Sequence, residues 1–433
     1  MQQEGLISIT GCIDAQKPHM IYGVGNGRKN KIIVTFHEQK AKELYEDYRF
    51  FDPAVVYYPA KDVLFYQSDI RGNLLTAERI QALRAIHEQD EVTVITTFDA
   101  LMNTMAPAKQ LWDSICRIAP EDTVDLEKMK DLLVRMGYEK EYQVESMGQF
   151  AIRGGILDIF PLTEDNPVRI EMWGDEVDTI RSFDVESQKS IENLDEVVIY
   201  PACELVLTEE EKRAGIEKLL KEAESFSKKL RKEMKTEEAH RALSQAQELA
   251  EEWGELAVTA GMDAFLSYFC EKRVGLLDYF DPKETYLFID ELSRSTERGR
   301  QTELEFSESM KQRLEKGYIL PGQMKELFGY KEIMGRLEHF SCIALAALDT
   351  KSCGLKLNAY NNSFELLIKD LNHYKKNGYK VILLSGSKTR AARLAEDILN
   401  EGLNCFYTED YDHELLPGQI MVCYGKVHRG YEY

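Results

Sequence analysis

The chain has 433 residues, which is more than one hydrophobic core can hold and predicts three or four domains. Its 75 acidic and 54 basic residues give a formal net charge of −21. This charge excludes a large basic surface for nucleic-acid binding and makes a protein the expected partner, although a small basic patch is compatible with it. No apolar run is long enough for a membrane helix. The eight cysteines stand singly, so the sequence predicts a cytoplasmic protein without a metal site.

The first hundred residues alternate between two hydrophobic periodicities. Short β-branched and aromatic runs, "KIIVTF" (31–36), "AVVYYPA" (54–60) and "VTVITTF" (92–98), predict strands. Between them, "EQKAKELYEDYRFF" and "TAERIQALRAIHEQ" repeat apolar residues every three or four positions, as amphipathic helices do. This alternation predicts a parallel sheet with crossover helices.

A compact α+β unit is predicted from about residue 115 to residue 202. Asp125 is placed to cap a helix, "LEKMKDLLVRM", that stops at Gly137. Strand-like segments then follow one another without helices between them: "QFAIRGGILDIFP", "PVRIEMWGDEVDTIRSFD" and "LDEVVIYPA". This pattern differs from the preceding alternation and indicates a compact α+β unit rather than a continuation of the parallel sheet.

The remaining residues predict further helices and a last, small domain. Thr208 and Glu211 form a capping box before a long charged helical tract, expected to face solvent, that runs to about Trp253. Apolar segments resume with "KETYLFIDELSR" and "FSCIALAAL". From about residue 350, a helix ending at Gly378, a strand, a second helix and two short strands predict a separate α/β domain. The chain ends at "HRGYEY" without a tapering polar tail, so we expect it to be part of a longer protein.

A degraded nucleotide-binding motif lies near the start, in "SITGCIDAQKPHMIYG" (8–23). Gly11, four further residues, then Gln16, Lys17 and Pro18 occupy the frame G-x-x-x-x-G-K-[ST]. Gln16 adds a side chain where the backbone must approach a phosphate, and Pro18 removes both the hydroxyl that holds Mg²⁺ and one amide donor. The stretch is either a relic or a coincidental loop, and both interpretations predict no ATP hydrolysis.

Two other segments resemble parts of nucleotide sites. "TYLFIDEL" ends in Asp290 and Glu291, as a magnesium-holding strand does, but without a competent phosphate loop we interpret these acids as a relic. "LLSGSKT" lacks the required glycines, and Ser385 or Ser387 acting as a helix N-cap explains it better. The sequence predicts no catalytic residue.

Residues 150–184 carry the clearest candidate surface. In "VRIEMW", alternation places Val168, Ile170 and Met172 on a buried face and Arg169, Glu171 and Trp173 on the other, exposed face, with Arg153 on a neighbouring strand. Exposed arginine and tryptophan are enriched at binding hot spots. The alternative is an Arg–Glu cross-strand pair beside a tryptophan packed at the sheet edge.

Three segments carry a resemblance to a known family: "YYPAKDVLFYQSDIRGNLLTAERIQALRAI", "QFAIRGGILDIFPLTEDNPVRIEMWGDEVDTIRSFDVESQKSIENLDEVVIYPA" and "LLDYFDPKETYLFIDEL". They resemble the N-terminal half of the bacterial transcription-repair coupling factors, the Mfd family, whose first part looks like the repair protein UvrB. The resemblance implies an α/β multidomain fold. A degenerate RecA-like domain (1–114 and 203–349) is split by an inserted α+β UvrA-binding module (115–202) and followed by a small α/β domain (350–433).

The resemblance also implies a function and a set of site residues. Arg153, Arg169 and Trp173 match the family's UvrA-recruiting positions, with tryptophan where phenylalanine is often found. The implied role is non-catalytic recruitment of UvrA, which couples stalled transcription to nucleotide excision repair. RNA polymerase, DNA, ATP and Mg²⁺ are bound by C-terminal regions that this chain lacks, so we expect no cofactor, no ATPase and no membrane contact in this part.

Two alternatives remain open. A UvrB-like DNA-damage-binding helicase subunit requires an intact phosphate loop and an aromatic β-hairpin, and the interval containing Phe65 and Tyr66 leaves little room for such a hairpin before the next predicted helix. A structural scaffold, with no partner on the inserted module, is the third interpretation.

Overall fold

A computed structural model of the chain describes residues 7–61, 71–255, 261–347, 360 and 363–431. Its internal contacts divide the chain into two units. The first consists of Met1–Ile7, Arg28–Ala41 and Val56–Ala344, and the second of Ser8–Gly27, Lys42–Val55 and Leu345–Tyr433. Phe65 and Tyr66 lie outside the described residues, so the expectation about the hairpin stays a prediction. The domain boundaries expected from the sequence also stay predictions.

The described residues form strands and helices that alternate along most of the chain. The strands are β1 (Ile7–Thr10), β2 (Asn30–Thr35), β3 (Val56–Tyr58), β4 (Thr93–Thr97), β5 (Cys116–Ile118), β6 (Glu139–Lys140), β7 (Gln149–Arg153), β8 (Ile156–Ile159), β9 (Val168–Trp173), β10 (Glu176–Phe183), β11 (Ser190–Asn193), β12 (Val197–Ile199), β13 (Thr285–Asp290), β14 (Ser341–Ala346), β15 (Val381–Ser385), β16 (Cys405–Tyr407) and β17 (Ile420–Tyr424). The α-helices are α1 (Lys17–Val24), α2 (Glu38–Tyr48), α3 (Arg71–Glu88), α4 (Phe98–Met102), α5 (Ala108–Trp112), α6 (Leu126–Arg135), α7 (Glu209–Lys232), α8 (Thr236–Glu255), α9 (Leu266–Phe269), α10 (Leu292–Glu315), α11 (Tyr330–Leu337), α12 (Phe364–Lys376) and α13 (Lys388–Asn400).

A parallel sheet forms the centre of the first unit, as the alternation of strands and helices predicts. Strands β13, β2, β4 and β3 pair in parallel in that order. The apolar residues of these strands are buried on both faces of the sheet, which is typical of a parallel sheet covered by helices. Their core includes Ile32, Val94 and Leu287. The predicted α/β fold class is therefore confirmed.

The segment predicted as an inserted module (115–202), called the inserted module below, contains a mixed sheet with one helix on it. Its strands lie in the order β11-β10-β9-β8-β7-β6, antiparallel except for the β6–β7 pair. Asp125 caps α6 by accepting hydrogen bonds from the amides of Glu127 (3.0 Å) and Lys128 (3.2 Å). Gly137, with φ +86°, turns the chain after the helix. The core beneath α6 includes Met129, Leu133, Phe150, Leu157 and Ile170.

Two antiparallel helices, α7 and α8, follow the inserted module. The predicted capping box is present: the Thr208 hydroxyl accepts from the Glu211 amide (3.2 Å) and the Glu211 carboxylate accepts from the Thr208 amide (2.9 Å). The single tract expected from the sequence is in fact two helices, separated near Met234, whose φ is +65°. One face of each helix is buried rather than solvated, and Trp253 belongs to that core.

The second unit contains a small parallel sheet with the strand order β15-β17-β16. Helices α12 and α13 contribute Leu371 and Ile398 to its core. Ser387 caps α13 by accepting a hydrogen bond from the Arg390 amide (3.2 Å), so the N-cap interpretation of "LLSGSKT" is confirmed. None of the helices in the described ranges has the length and apolar character needed to cross a membrane.

Candidate functional site

The candidate site is the sheet face of the inserted module that lies opposite α6. We call it the Trp173 face and define it by Arg153, Asp158, Arg169, Glu171 and Trp173. The strand register places Asp158 directly opposite Arg169 and continues the face along β9 to Trp173. Alternation along β9 therefore predicts the face correctly, since Val168 and Ile170 are buried on the other side, although Met172 is only half-buried.

The two arginines of the face meet at one buried carboxylate. Arg169 donates from Nε to Asp158 Oδ1 (2.7 Å) and from Nη2 to Oδ2 (2.9 Å), and Arg153 Nη2 donates to the same Oδ2 (2.7 Å). The Asp158 side chain is only 1% exposed. Hydrogen bonding to this carboxylate raises the pKa of Arg169, so its guanidinium is charged. Asp158 holds β7, β8 and β9 together on this face.

Arg169 differs from the sequence expectation in its exposure. Its side chain is 17% exposed, with its guanidinium 4.6 Å from the centre of the Phe183 ring and Nη2 3.3 Å from Gln188 Oε1. The expectation that Arg169 stands exposed beside Trp173 is therefore wrong, because its paired donors face Asp158. Arg153 is 37% exposed and gives Asp158 one nitrogen, so it is the more accessible guanidinium.

The alternative of an arginine–glutamate cross-strand pair is realised by a different arginine. Glu171 pairs with Arg181 of β10 and accepts a hydrogen bond from the Thr179 hydroxyl at 3.2 Å. The charges of the face are thus largely paired within the module, which limits their attraction for charged groups outside it.

Trp173 stands out on this face. It is 85% exposed, at the end of β9, and its partner in the register is Glu176 across a two-residue turn in which Gly174 has φ +66°. It lies four residues from Arg169 on the same strand face, a separation of about 13 Å along an extended strand. A large apolar ring held on a tight hairpin is preorganised for contact with another protein.

Sequence reasoning missed Asp158. Its signal was present in "GGILDIF", where a lone acid alternates with the buried residues Leu157 and Ile159 and so shares a face with the arginines. Only the pairing of β8 with β7 and β9 shows that both arginines reach it.

The degraded nucleotide motif folds as a compact turn in the second unit. Gly11 has φ +78°, residues 14–16 form a single 3₁₀ turn, and α1 begins at Lys17 with Pro18 in its first turn. Lys17 is buried, with Nζ 2.8 Å from Asp14 Oδ1. The buried Gln16 side chain accepts a hydrogen bond from the Ile13 amide at 3.3 Å, although a phosphate loop directs its amides at the ligand.

The acidic pair predicted as a relic lies at the end of β13. Asp290 is buried and is the last residue of the strand, and its backbone carbonyl accepts a hydrogen bond from the Ser295 hydroxyl at 2.9 Å. Glu291, with φ +50°, precedes the first residue of α10 and is half-buried. The strand-then-acid arrangement expected from "TYLFIDEL" is therefore present.

Comparison with known proteins supports the resemblance. Residues 116–205 match the UvrB interaction domain. The transcription-repair-coupling factor of Bacillus subtilis is 29% identical over 88% of this chain and 33% of its own length, and that of Staphylococcus epidermidis is 26% identical over 93% and 35%. The UvrABC system protein B of Thermosipho africanus is 26% identical over 86% of this chain and 60% of its own length.

The matches cover most of this chain but only part of each relative. The chain spans about a third of the length of the coupling factors that it matches. The predicted resemblance to the N-terminal part of transcription-repair coupling factors is confirmed, and the matched interaction domain coincides with the mixed sheet that carries the Trp173 face.

Proposed function

We propose that this chain is the UvrA-recruiting part of a transcription-repair coupling factor, and that the Trp173 face is its contact surface. The single observation that carries the proposal is the 85% exposure of Trp173 on a tight hairpin inside the segment that matches the UvrB interaction domain. In this role the chain brings UvrA to stalled transcription and so couples transcription to nucleotide excision repair.

Recruitment requires shape and apolar contact rather than catalysis. Trp173 is the anchor, because a desolvated tryptophan contributes more to an interface than the polar groups around it. Arg153 flanks it with a partly exposed guanidinium that can pair with a carboxylate of the partner. Arg169 acts mainly as a positioning residue, since its bidentate pair with Asp158 fixes β9 against β8.

We assign no ATP hydrolysis and no cofactor to this part of the protein. The internal bonding of Lys17 and Gln16 supports that assignment, as does the loss of the hydroxyl at Pro18. We assign RNA polymerase binding and ATP-driven movement on DNA, with Mg²⁺, to regions of the coupling factor other than this chain. The protein is proposed to function in the cytoplasm.

The similarity to a UvrABC system protein B supports one alternative function, that of a UvrB-like damage-binding helicase subunit. That function requires an intact phosphate loop. Nucleotide binding distinguishes the two proposals, because only the helicase subunit needs nucleotide.

A titration of UvrA against the whole chain tests the proposed function. We expect Trp173→Ala to weaken binding by about 2 kcal/mol or more, roughly 30-fold, as for a central hot-spot residue. The matched control is Lys128→Ala on α6, which is 87% exposed on the opposite side of the sheet and should leave affinity unchanged. Equal affinities for wild type and Trp173→Ala would overturn the assignment of the face.

A further inference from the structure

Exposed carboxylates lie beside Trp173. We call them the acidic rim, which consists of Glu121, Asp122, Asp175, Glu176 and Asp178. All five residues are exposed. No basic residue interrupts them, because the segments 121–124 and 172–180 contain none. The charge next to the ring is therefore of one sign.

The backbone pairing places the acidic rim next to the ring. Glu176 lies directly opposite Trp173 in the register of β9 and β10, so the two side chains share one face of the sheet, with about 5 Å between their β-carbons. On the other side of β10, the chain that precedes α6 continues the sheet. There the Glu121 amide donates to the Val177 carbonyl (2.8 Å), and Thr123 forms an antiparallel bridge with Glu176.

The arginines of the Trp173 face leave the acidic rim unpaired. Arg153 and Arg169 donate to Asp158, and Arg181 pairs with Glu171. Within the described ranges of the chain, no lysine, arginine or histidine forms an ion pair with a member of the rim. A negative potential therefore remains on the β10 side of the face, whereas Arg153 lies on β7, at the other side of β9.

The fold itself does not require the acidic rim. Aspartate is favoured in tight turns, which accounts for Asp175. Turn chemistry does not account for Glu176, which begins β10, and glutamate is depleted in strands. Like charges that lie close together repel one another and destabilise the folded state. A positively charged partner surface removes this repulsion.

We propose that the surface of UvrA that receives Trp173 is an apolar pocket bordered by lysines and arginines, which pair with the acidic rim. This inference rests on the proposed binding of UvrA at the Trp173 face and names the chemistry of the partner's surface. A cation beside the pocket can meet both a rim carboxylate and the face of the indole ring. Because the exposed charges differ in sign between the β10 side and the β7 side, they also fix the orientation in which UvrA docks.

Stopped-flow measurement of the association of UvrA with the whole chain, at a series of salt concentrations, tests the inference. The rim variant is Glu176→Lys. The matched control is Asp131→Lys on α6, which is exposed on the opposite side of the sheet and changes the net charge equally. Trp173→Ala is measured in parallel, because it tests the proposed function separately. Thermal melting checks that the variants fold, and Glu176→Gln removes the charge with little change of size.

At about 20 mM salt we expect Glu176→Lys to lower the association rate constant at least about fivefold, and Glu176→Gln about twofold. The effect should fall below about twofold at about 0.5 M salt, where exposed charges are screened, and Asp131→Lys should match wild type within about twofold throughout. Unchanged or faster association of Glu176→Lys, equal losses in Asp131→Lys, or a loss independent of salt would overturn the inference. If Trp173→Ala still weakens binding, the proposed function survives that result, whereas unchanged binding of Trp173→Ala would overturn both.

Discussion

Asp158 is the residue on which the Trp173 face depends. Its buried carboxylate accepts three hydrogen bonds from Arg153 and Arg169. Removing Arg169 leaves this carboxylate with one hydrogen bond, from Arg153, and breaking a buried ion pair costs about 3–5 kcal/mol. We therefore expect Arg169→Glu, which also adds a second carboxylate beside Asp158, to lower the free energy of unfolding by at least about 3 kcal/mol in urea denaturation.

A surface pair of the same module is the control for this substitution. Arg117 and Glu196 lie 3.7 Å apart with both side chains more than half exposed, so Arg117→Glu should cost less than about 1 kcal/mol. Similar losses in the two variants would show that Asp158 is not the critical partner. Because Arg169→Glu is expected to destabilise the module, loss of UvrA binding in this variant does not by itself show that Arg169 contacts UvrA.

The residues of the face illustrate what a sequence can predict. Strand alternation in "VRIEMW" predicted that Arg169 and Trp173 share a face and that the tryptophan is exposed. It could not predict that Arg169 is turned inward. That depends on the register of β8 against β9, which the alternation within one strand does not fix.

At the scale of elements, Glu204 links the chain leaving the inserted module to α3. Its carboxylate accepts hydrogen bonds from Arg79 Nε (2.6 Å) and Nη2 (2.9 Å), and Lys61 Nζ lies 3.2 Å away. Burial by itself raises the pKa of Glu204, but the charges of Arg79 and Lys61 outweigh it and lower the pKa to about 2.

This depressed pKa predicts how stability depends on pH. A carboxylate with a folded pKa below its unfolded value stabilises the fold above the unfolded pKa, near 4.5, and loses that contribution as the pH falls towards 2. The contribution at neutral pH is about 3 kcal/mol. We expect the stability difference between wild type and Glu204→Gln, measured by urea unfolding, to shrink from pH 5 to pH 2. A constant difference would contradict the assignment.

The turn between β1 and α1 predicts that nucleotide does not change the stability of the protein. Because Lys17 is committed to Asp14 and the Gln16 side chain holds the Ile13 amide, we expect Mg-ADP to leave the melting temperature unchanged relative to Mg²⁺ alone. A ligand at a hundredfold excess over its Kd would add about 2.7 kcal/mol of stability. A clear rise in melting temperature would favour the UvrB-like alternative.

Elements whose signals are local were predicted well. The caps at Asp125, Thr208 and Ser387 are hydrogen-bonded as expected, because a cap is decided by a few neighbouring residues. The break between α7 and α8 and the burial of Trp253 were missed, since a charged composition conceals a packed face that forms only when two helices meet.

At the scale of the whole molecule, the chain combines a parallel sheet covered by helices with a mixed sheet that carries the Trp173 face. The chain spans about a third of the length of the coupling factors that it matches, and we propose that recruitment and movement on DNA belong to different parts of those longer proteins. The sequence predicted the fold class because the strand–helix alternation and the inserted strands are strong periodic signals. It could not predict which charged side chains pair within the module.

Site-specific photocrosslinking tests the recruitment proposal most directly. A benzophenone side chain is placed at position 173, or at position 128 on the opposite side of the module, and each protein is irradiated with UvrA. We predict a covalent UvrA adduct from position 173 and none from position 128. A complex that forms without an adduct at position 173, or equal yields from the two positions, would contradict the assignment of the Trp173 face.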